Sequence, residues 1–290
     1  MLVICGSVTC MIAKGMAEAD GNSLFAQKRG DEFVNTVSLA DTAVNAVDLT
    51  VTNATVYIHG QSTNAYAEII NFNDNNYTVN TGNQVFTFKE VPDLISMLKF
   101  WENGFSFKGM RYIFNTNQPS ADDERSVHIY LGTSDTKISE VTLHAEGCDI
   151  YIDNVSTGYD FKLFLEDCNV AMDTISLTNE LAVVGENISM DVSGCLFGKI
   201  SVQSTALHMN LSDILVSVSA DIRYDTGDVD ISLPAGALTG CKMNLQALNN
   251  GSVTVNGNML GSSYSVEGEG IVWTIHAEEG GSIRIADTNS

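Results

Sequence analysis

The chain has 290 residues, of which 44% are hydrophobic, and its 14 basic and 36 acidic side chains give a formal net charge of −22. That charge repels phosphate backbones and anionic lipid headgroups, which argues against nucleic acid as a partner. Only three prolines occur, among many Asn, Ser, Thr, Asp and Gly residues. This composition is typical of short strands joined by tight polar corners, so we expect an all-β chain with few long helices.

The chain begins with an apolar segment, which we assign to residues 1–21. The first 13 residues are apolar apart from one serine and one threonine, and Lys14 follows them. This segment fits the hydrophobic region of a signal peptide, the outer half of an uncleaved membrane anchor, or a buried strand. We expect it to be membrane-associated and to precede a single β-solenoid domain, residues 22–290.

Residues 40–131 predict strands of mixed direction and one helix. The alternation of apolar residues over 47–58 predicts two strands around an Asn53-Ala54 corner. Residues 77–88 have the pattern of a hairpin. The one predicted helix covers 93–103, where four apolar side chains share one face between a proline and a glycine.

The most informative region, residues 141–233, contains one pattern five times. Three inward positions precede a two-residue corner and three further inward positions, so the second strand's first inward residue comes seven positions after that of the first strand. The predicted corners are Glu146-Gly147, Glu166-Asp167, Ser193-Gly194, Ser212-Asp213 and Gly227-Asp228. The copies begin at Val141, Phe161, Ile188, Leu207 and Ile222, at intervals of 20, 27, 19 and 15 residues.

The repeated pattern predicts a right-handed parallel β-helix, or β-solenoid, of pectate-lyase-like architecture. A corner of two residues keeps the apolar face inward while the chain bends, as a coil of parallel strands requires. A β-sandwich is the alternative, although its hairpins favour Asn-Gly or Asp-Gly turns, which the five corners lack. The alternation continues to Ile285, where the run from Gly270 ends without an evident cap for its edge.

Four cysteines in the repeat region have no metal-ligand spacing: Cys148, Cys168, Cys195 and Cys241 form no CxxC pair. We expect them to be structural and to point inward. In-register strands lie about 4.8 Å apart, which allows a disulfide between Cys148 and Cys168. The alternative is a ladder of free thiols inside the coil.

No catalytic, cofactor-binding or metal-binding residue is predicted. The nearest approach to a site is an acidic strand that we expect to share one exposed surface, formed by Asp221, Arg223, Asp225, Asp228 and Asp230. We interpret it as a solvated face of an acidic protein in preference to a catalytic site. Five histidines are scattered one per strand and form no catalytic arrangement, namely His59, His128, His144, His208 and His276. The acidic loop Asp122-Asp123-Glu124 has carboxylates that calcium could use.

The sequence resembles the bacterial family DUF4097, also called "putative adhesin", over roughly residues 40–290. The resemblance rests on the strand pair 47–58, the Gly-Asp segment 226–234 and the closing segment 281–285. The sequence departs from the family where Gly147-Cys148 and Gly194-Cys195 replace the usual Gly-Asp, and where Leu131-Gly132 replaces Leu-Pro. The resemblance implies a solenoid on the cell envelope, anchored at its N-terminus, and offers no catalytic residues.

From these observations we expect a non-enzymatic cell-envelope binding or scaffold protein, adhesin-like and extracytoplasmic. Its partner would be an envelope protein or a glycan, and it would need no cofactor. One alternative is a polysaccharide-active enzyme built around the acidic strand near Arg223. Another is a sensor of envelope stress, in which the membrane segment transmits occupancy of the coil.

Overall fold

A computed structural model describes residues 27–29, 32–40, 44–60, 62–73, 76–91, 123–132, 138–156, 158 and 160–287. The apolar segment 1–21 and the predicted helix 93–103 lie outside these residues. The described residues contain strands and a single 3₁₀ segment, Gly82–Gln84, and no α-helix. Within these same ranges, we find no helix with the length and hydrophobicity that crossing a bilayer requires.

The described chain is all-β, as the composition predicts. The strands of the N-terminal half are β1 (Gln27–Arg29), β2 (Glu32–Ser38), β3 (Ala46–Thr52), β4 (Thr55–His59), β5 (Ala65–Ile70), β6 (Tyr77–Asn80), β7 (Val85–Glu90), β8 (Ser126–Leu131), β9 (Glu140–Glu146) and β10 (Asp149–Asp153). The remaining strands are β11 (Asp160–Asp173), β12 (Ser176–Ser193), β13 (Leu196–Ser212), β14 (Leu215–Leu233), β15 (Lys242–Ala247), β16 (Ser252–Val255), β17 (Asn258–Met259), β18 (Ser263–Val266), β19 (Val272–Ala277) and β20 (Ser282–Asp287).

The central strands pair in parallel and in register. Leu143, Leu163, Val183, Val202 and Ile222 stand side by side on successive strands. All five side chains are buried, and the repeat between them is 19 or 20 residues long. Hairpins of a β-sandwich would place sequential strands antiparallel, so this pairing contradicts the sandwich alternative.

The repeats bend at two corners, and residues with positive φ recur at both, although none occurs at the first corner of β13, at Thr205. At the first corner these residues are Asn53, Gly147, Asp167 and Asn187, with φ of 48°, 61°, 52° and 52°. At the second corner they are Asn154, Thr174, Gly194 and Asp213, with φ of 53°, 54°, 60° and 51°. Left-handed backbone is least costly for Gly, Asn and Asp, which accounts for most of the residues found here.

The predicted alignment of the last three copies was wrong. Ile188 pairs with Cys168, and Leu181 is the residue that pairs with Phe161. Glu146-Gly147 and Glu166-Asp167 form first corners, whereas Ser193-Gly194 and Ser212-Asp213 form second corners. In the fifth copy, Gly227 pairs with Leu207, so Gly227 lies one residue beyond the first corner. The two corners have the same local sequence pattern, and only the pairing between strands distinguishes them.

The outward residues of the repeat fall on two faces around the first corner. Face A comprises outward residues of β3, β9 and the segments of β11–β14 that precede the first corner. Face B comprises outward residues of β4, β5, β8, β10 and the segments of β11–β14 that follow it. Inward residues of both faces join one buried core.

The cysteines point inward as predicted, but only two are neighbours. Cys148 and Cys168 occupy adjacent in-register positions, and both are buried free thiols. Cys195 instead pairs with Ile175 and Ile214, because it follows a second corner. Burial raises the pKa of Cys195, and a hydrogen bond with Cys168 together with burial raises the pKa of Cys148. The structure thus has the thiol arrangement in place of the disulfide.

The edges are covered by antiparallel strands, as the mixed directions predicted for residues 40–131 suggest. The predicted hairpin is confirmed as β6 and β7, while β5 pairs antiparallel with both β2 and β8. The run from Gly270 to Ile285 was wrongly predicted to end the sheet without a cap. Its strands β19 and β20 lie between β14 on one side and β15 and β16 on the other. Strands β17 and β18 then pair antiparallel with β16 and β15.

Substitutions at two glycines test this backbone geometry. A Cβ atom at Gly227 would lie 1.9 Å from the carbonyl oxygen of Leu207, at a φ of +119°. At Gly194 the nearest atom to an added Cβ is 4.0 Å away, and Asn154 occupies the equivalent position two repeats earlier. We expect Gly227→Ala to lower the free energy of unfolding by about 3 kcal/mol or more. Gly194→Asn should lower it by less than about 1 kcal/mol.

Chemical denaturation of both variants measures these changes. Equal losses for the two variants would contradict the described register, because Gly194 and Gly227 would then have similar surroundings.

Thiol labelling tests the arrangement of the cysteines. In a Cys5→Ser/Cys10→Ser background, the four described thiols are buried, so none should react with an aromatic disulfide reagent in native buffer. After unfolding without reductant, all four should react. If only two reacted, Cys148 and Cys168 would be joined by a disulfide and the free-thiol arrangement would be wrong.

Candidate functional site

Six aromatic side chains from four strands of face B stack on one another at the protein surface. We call this group the aromatic ladder, and its members are Tyr57, His59, Tyr66, His128, Tyr130 and Tyr151. The strands that carry them, β4, β5, β8 and β10, are adjacent in the sheet.

The ladder has two parallel rows of rings. In the first row, the centroid of Tyr57 lies 5.1 Å from that of Tyr151 and 4.3 Å from that of His128. In the second, Tyr130 lies 4.9 Å from His59 and 4.2 Å from Tyr66. These spacings follow the distance between paired strands, about 4.8 Å. Each stacked pair contributes about 0.5–1.5 kcal/mol beyond the area that it buries.

Strand alternation aims the rings outward. The residues between or beside them on each strand are apolar and buried, namely Ile58, Ala67, Ile129 and Ile152. Because neighbouring side chains on a strand point to opposite faces, burial of these four residues fixes the rings on the outer surface. The register then places each ring over the next one: Tyr57 pairs with His128 and with Tyr151, and Tyr130 pairs with Tyr66.

The ladder presents ring edges to solvent because the ring faces cover one another. The hydroxyl groups of Tyr57, Tyr66 and Tyr151 have no hydrogen-bond partner among the described residues. Burial, with help from Tyr151, Glu124 and Asp149, raises the pKa of Tyr57, so its phenol keeps its proton at neutral pH. These hydroxyls can donate hydrogen bonds to a ligand.

The imidazoles are held in place by polar neighbours. His59 Nδ1 lies 2.9 Å from Asp153 Oδ1, and His128 Nε2 lies 3.2 Å from Ser126 Oγ. The ladder is therefore a fixed surface, and its side chains lose little conformational freedom when a ligand binds.

Amide and carboxylate groups continue face B beyond Tyr151. Asn169 Nδ2 donates a hydrogen bond of 2.8 Å to Asp149 Oδ1 on the preceding repeat. Asn210 Nδ2 donates one of 3.3 Å to Asp191 Oδ1. Aromatic rings beside planar polar groups suit a ligand that carries both apolar C–H surface and many hydroxyls.

The predicted acidic strand is exposed, but its members lie on two faces. Asp221 and Arg223 lie on face A, where Arg223 Nε is 3.0 Å from Asp221 Oδ1. Asp228 and Asp230 follow the corner on face B and pair with Arg284, which is 3.8 Å from Asp228 Oδ2. Asp225 lies exposed at the corner itself. The prediction of one shared surface was wrong, because the chain bends between Arg223 and Asp228.

The histidines have separate locations. His59 and His128 join the ladder, His208 Nδ1 lies 2.9 Å from Asp228 Oδ1 on face B, and His276 pairs with Arg223 on face A. His144 stacks on Phe164 at 4.6 Å and lines a shallow groove of about 330 Å³ on face A. His144 and His208 both face outward, as predicted.

The acidic loop gives no calcium site in the part of the chain that is described. Asp122 lies outside the described residues, and Glu124 Oε1 is 3.5 Å from Thr55 Oγ1. Among all described residues, no group of three or more His, Cys, Asp or Glu side chains is arranged to hold a metal ion.

Sequence reasoning did not find the ladder. Its local signal is present, since Tyr57 and His59 alternate with buried residues, as do His128 and Tyr130. The stacking depends on pairing between residues that are 64 to 94 positions apart, and periodicity along one strand contains no information about that pairing.

Comparisons with known proteins give information on the fold of the chain and not on its family. No protein-family model matches the chain, and no curated protein matches it, so the resemblance to DUF4097 stays a prediction. A solved structure from Bacteroides fragilis, described as a "putative adhesin", is similar with a TM-score of 0.50 and 10% identity over 89% of this chain and 98% of that one.

Two further solved structures are more distant. A "putative cell adhesion protein" from Clostridium sporogenes has a TM-score of 0.32 and 14% identity over 89% of this chain and 99% of that one. A "putative lipid binding protein" from Parabacteroides distasonis has a TM-score of 0.31 and 11% identity over 90% and 98%. TM-scores this low support no argument. What the comparisons establish is that this chain shares its all-β fold with the Bacteroides fragilis protein.

Proposed function

We propose that the described strands form a right-handed, single-chain β-solenoid. The in-register repeat of 19 or 20 residues, with left-handed residues recurring at two corners, supports this architecture. The right-handed sense follows from the rule that crossover connections between parallel strands are almost always right-handed.

On this solenoid we propose a non-enzymatic binding function: an adhesin-like protein that presents face B outside the cell membrane to an envelope glycan. The aromatic ladder is the observation that carries the proposal. It is a fixed surface of six stacked rings with hydroxyl groups at its edge, and a solenoid can align such a surface with an extended ligand. The description of the Bacteroides fragilis neighbour as an adhesin is consistent with this proposal.

The charges around the ladder favour a neutral ligand over an acidic one. Glu68, Asp149 and Asp153 lie beside the rings in the strand register, and the whole chain has a net charge of −22. An anionic polysaccharide would be repelled at moderate ionic strength, whereas a neutral glycan would meet no such barrier.

The geometry of the acidic strand does not favour a glycosidase reaction. Cleavage of a glycosidic bond uses two carboxyl groups that flank the bond, one of which is protonated. Asp230 is held in an ion pair with Arg284, and Asp225 lies at the corner between the two faces. Binding is therefore the simpler proposal.

Removal of two hydroxyl groups tests the binding function. Tyr57→Phe/Tyr66→Phe keeps both stacked rings but removes two hydrogen-bond donors from the edge of the ladder. Each lost hydrogen bond costs about 0.5–1.5 kcal/mol, so we expect binding to purified neutral envelope glycan to weaken roughly five- to hundredfold. Binding isotherms measure the change, and the midpoint of unfolding should move little.

The matched control is Tyr264→Phe, which removes a hydroxyl group on β18, away from the ladder. It should bind like the wild-type chain. If the wild-type chain binds no envelope glycan, or if the ladder variant binds as well as the control, the ladder is not the binding surface.

A further inference from the structure

We propose that the space above Ala171, next to the open end of the aromatic ladder, is a subsite for one pyranose ring of a neutral glycan. The sugar would stack on Tyr151 as the next ring of the first row. This inference rests on the proposed glycan-binding function and adds to it the position and the chemical class of one bound residue.

The subsite exists because the first row of the ladder stops at a small side chain. Tyr57 covers one face of the Tyr151 ring at 5.1 Å. The in-register neighbour on the other side of Tyr151 is Ala171, which has only a methyl group. Tyr151 is 44% exposed, whereas the other five ladder residues are only partly exposed, because one face of the Tyr151 ring is open.

The width of the space fits one stacked ring. Asp191 is the in-register neighbour of Ala171 on the next repeat, so Tyr151 and Asp191 stand two strand spacings apart, about 9.6 Å. Elsewhere in the ladder, one ring occupies each strand spacing, with centroids 4.2–5.1 Å apart. A single saturated ring placed over Ala171 would therefore touch Tyr151 on one side and Asp191 on the other.

Polar groups surround the space at the level of a bound sugar's hydroxyls. Asn169 and Asp173 flank Ala171 as the adjacent outward residues of the same strand, and both are exposed. Asp191 is also exposed, and its carboxylate already accepts a hydrogen bond from Asn210. Carboxylate and amide groups can form hydrogen bonds with the hydroxyls at the edge of a sugar ring, while the ring of Tyr151 contacts the apolar C–H face of the sugar.

The same polar groups argue against other occupants. Four carboxylates lie within one strand of Ala171 in the register, so an anionic group would be repelled; they belong to Asp149, Asp153, Asp173 and Asp191. An aromatic side chain of a partner protein could stack on Tyr151, but it would leave the surrounding carboxylates and amides without hydrogen bonds. A neutral polyhydroxyl ring satisfies both the stacking surface and the polar rim.

Ala171→Tyr tests the subsite by filling it with a ring from the chain itself. Position 171 faces outward, so the new ring should stack on Tyr151 without entering the core. Ala171→Ser leaves the space open and serves as the matched variant. Ala182→Tyr, at an outward position of face A, controls for an added tyrosine elsewhere on the sheet.

Saturation-transfer NMR and titration calorimetry would measure binding of cellobiose, N,N′-diacetylchitobiose and maltose to each folded variant. We expect at least one of these neutral disaccharides to bind the wild-type, Ala171→Ser and Ala182→Tyr chains with similar affinity. Ala171→Tyr should lose at least tenfold in affinity while its unfolding midpoint stays unchanged or rises. Tyr151→Ala, which removes the stacking surface and leaves Ala171 intact, should lose a similar amount.

Two outcomes would overturn the subsite. One is binding of a disaccharide by Ala171→Tyr at wild-type affinity. The other is the absence of binding by the wild-type chain to all three probes. Both are distinguishable from failure of the proposed function: if polymeric envelope glycan still binds and depends on Tyr57 and Tyr66, the ladder binds glycan and only the subsite over Ala171 is wrong.

Discussion

From β9 to β14, backbone hydrogen bonds between parallel strands hold each residue beside one that comes 19 or 20 positions later. A side chain that points inward on one strand is therefore stacked on inward side chains above and below it, and the same holds outside. This register produces the continuous buried core from Val141, Leu163 and their equivalents. In-register pairing between strands more distant in sequence produces the aromatic ladder, because Tyr57, His128 and Tyr151 occupy equivalent outward positions on three paired strands.

The register is maintained because the chain bends at equivalent positions in successive repeats. Left-handed residues such as Asn53, Asp167 and Asn187 make that bend at the same place in successive repeats. Stacked side chains reinforce the alignment, since Asn187 Nδ2 donates a hydrogen bond of 2.6 Å to Asp167 Oδ1. A difference of one residue between β12 and β13 is absorbed by a register shift between Leu177 and Glu180, after which the inward Leu181 pairs with the inward Ile200.

The charge of the chain is distributed in a way that suits stacked strands. Like charges at paired positions on adjacent strands would repel each other. Several outward carboxylates instead have a lysine partner on the adjacent strand. Lys162 Nζ lies 2.6 Å from Glu140 Oε1, and Lys199 Nζ lies 2.8 Å from Glu180 Oε1. These pairs are exposed and contribute little stability each, but they relieve repulsion locally while the net charge of −22 remains. That excess would repel an acidic ligand from face B, which is why the proposed ligand is a neutral glycan.

The sequence by itself determined the all-β class, the inward positions of the first two copies, the first corner, the hairpin of β6 and β7 and the burial of Cys148 and Cys168. These features follow from side-chain alternation and corner residues, which act within about ten residues of chain. Only the tertiary structure decided which corner each copy contains, where β19 is inserted and which rings stack in the ladder. Those outcomes depend on pairing between strands that are distant in sequence: the first and second corners share one local pattern, and the outward parity of Tyr57 and His128 does not specify that their strands are neighbours.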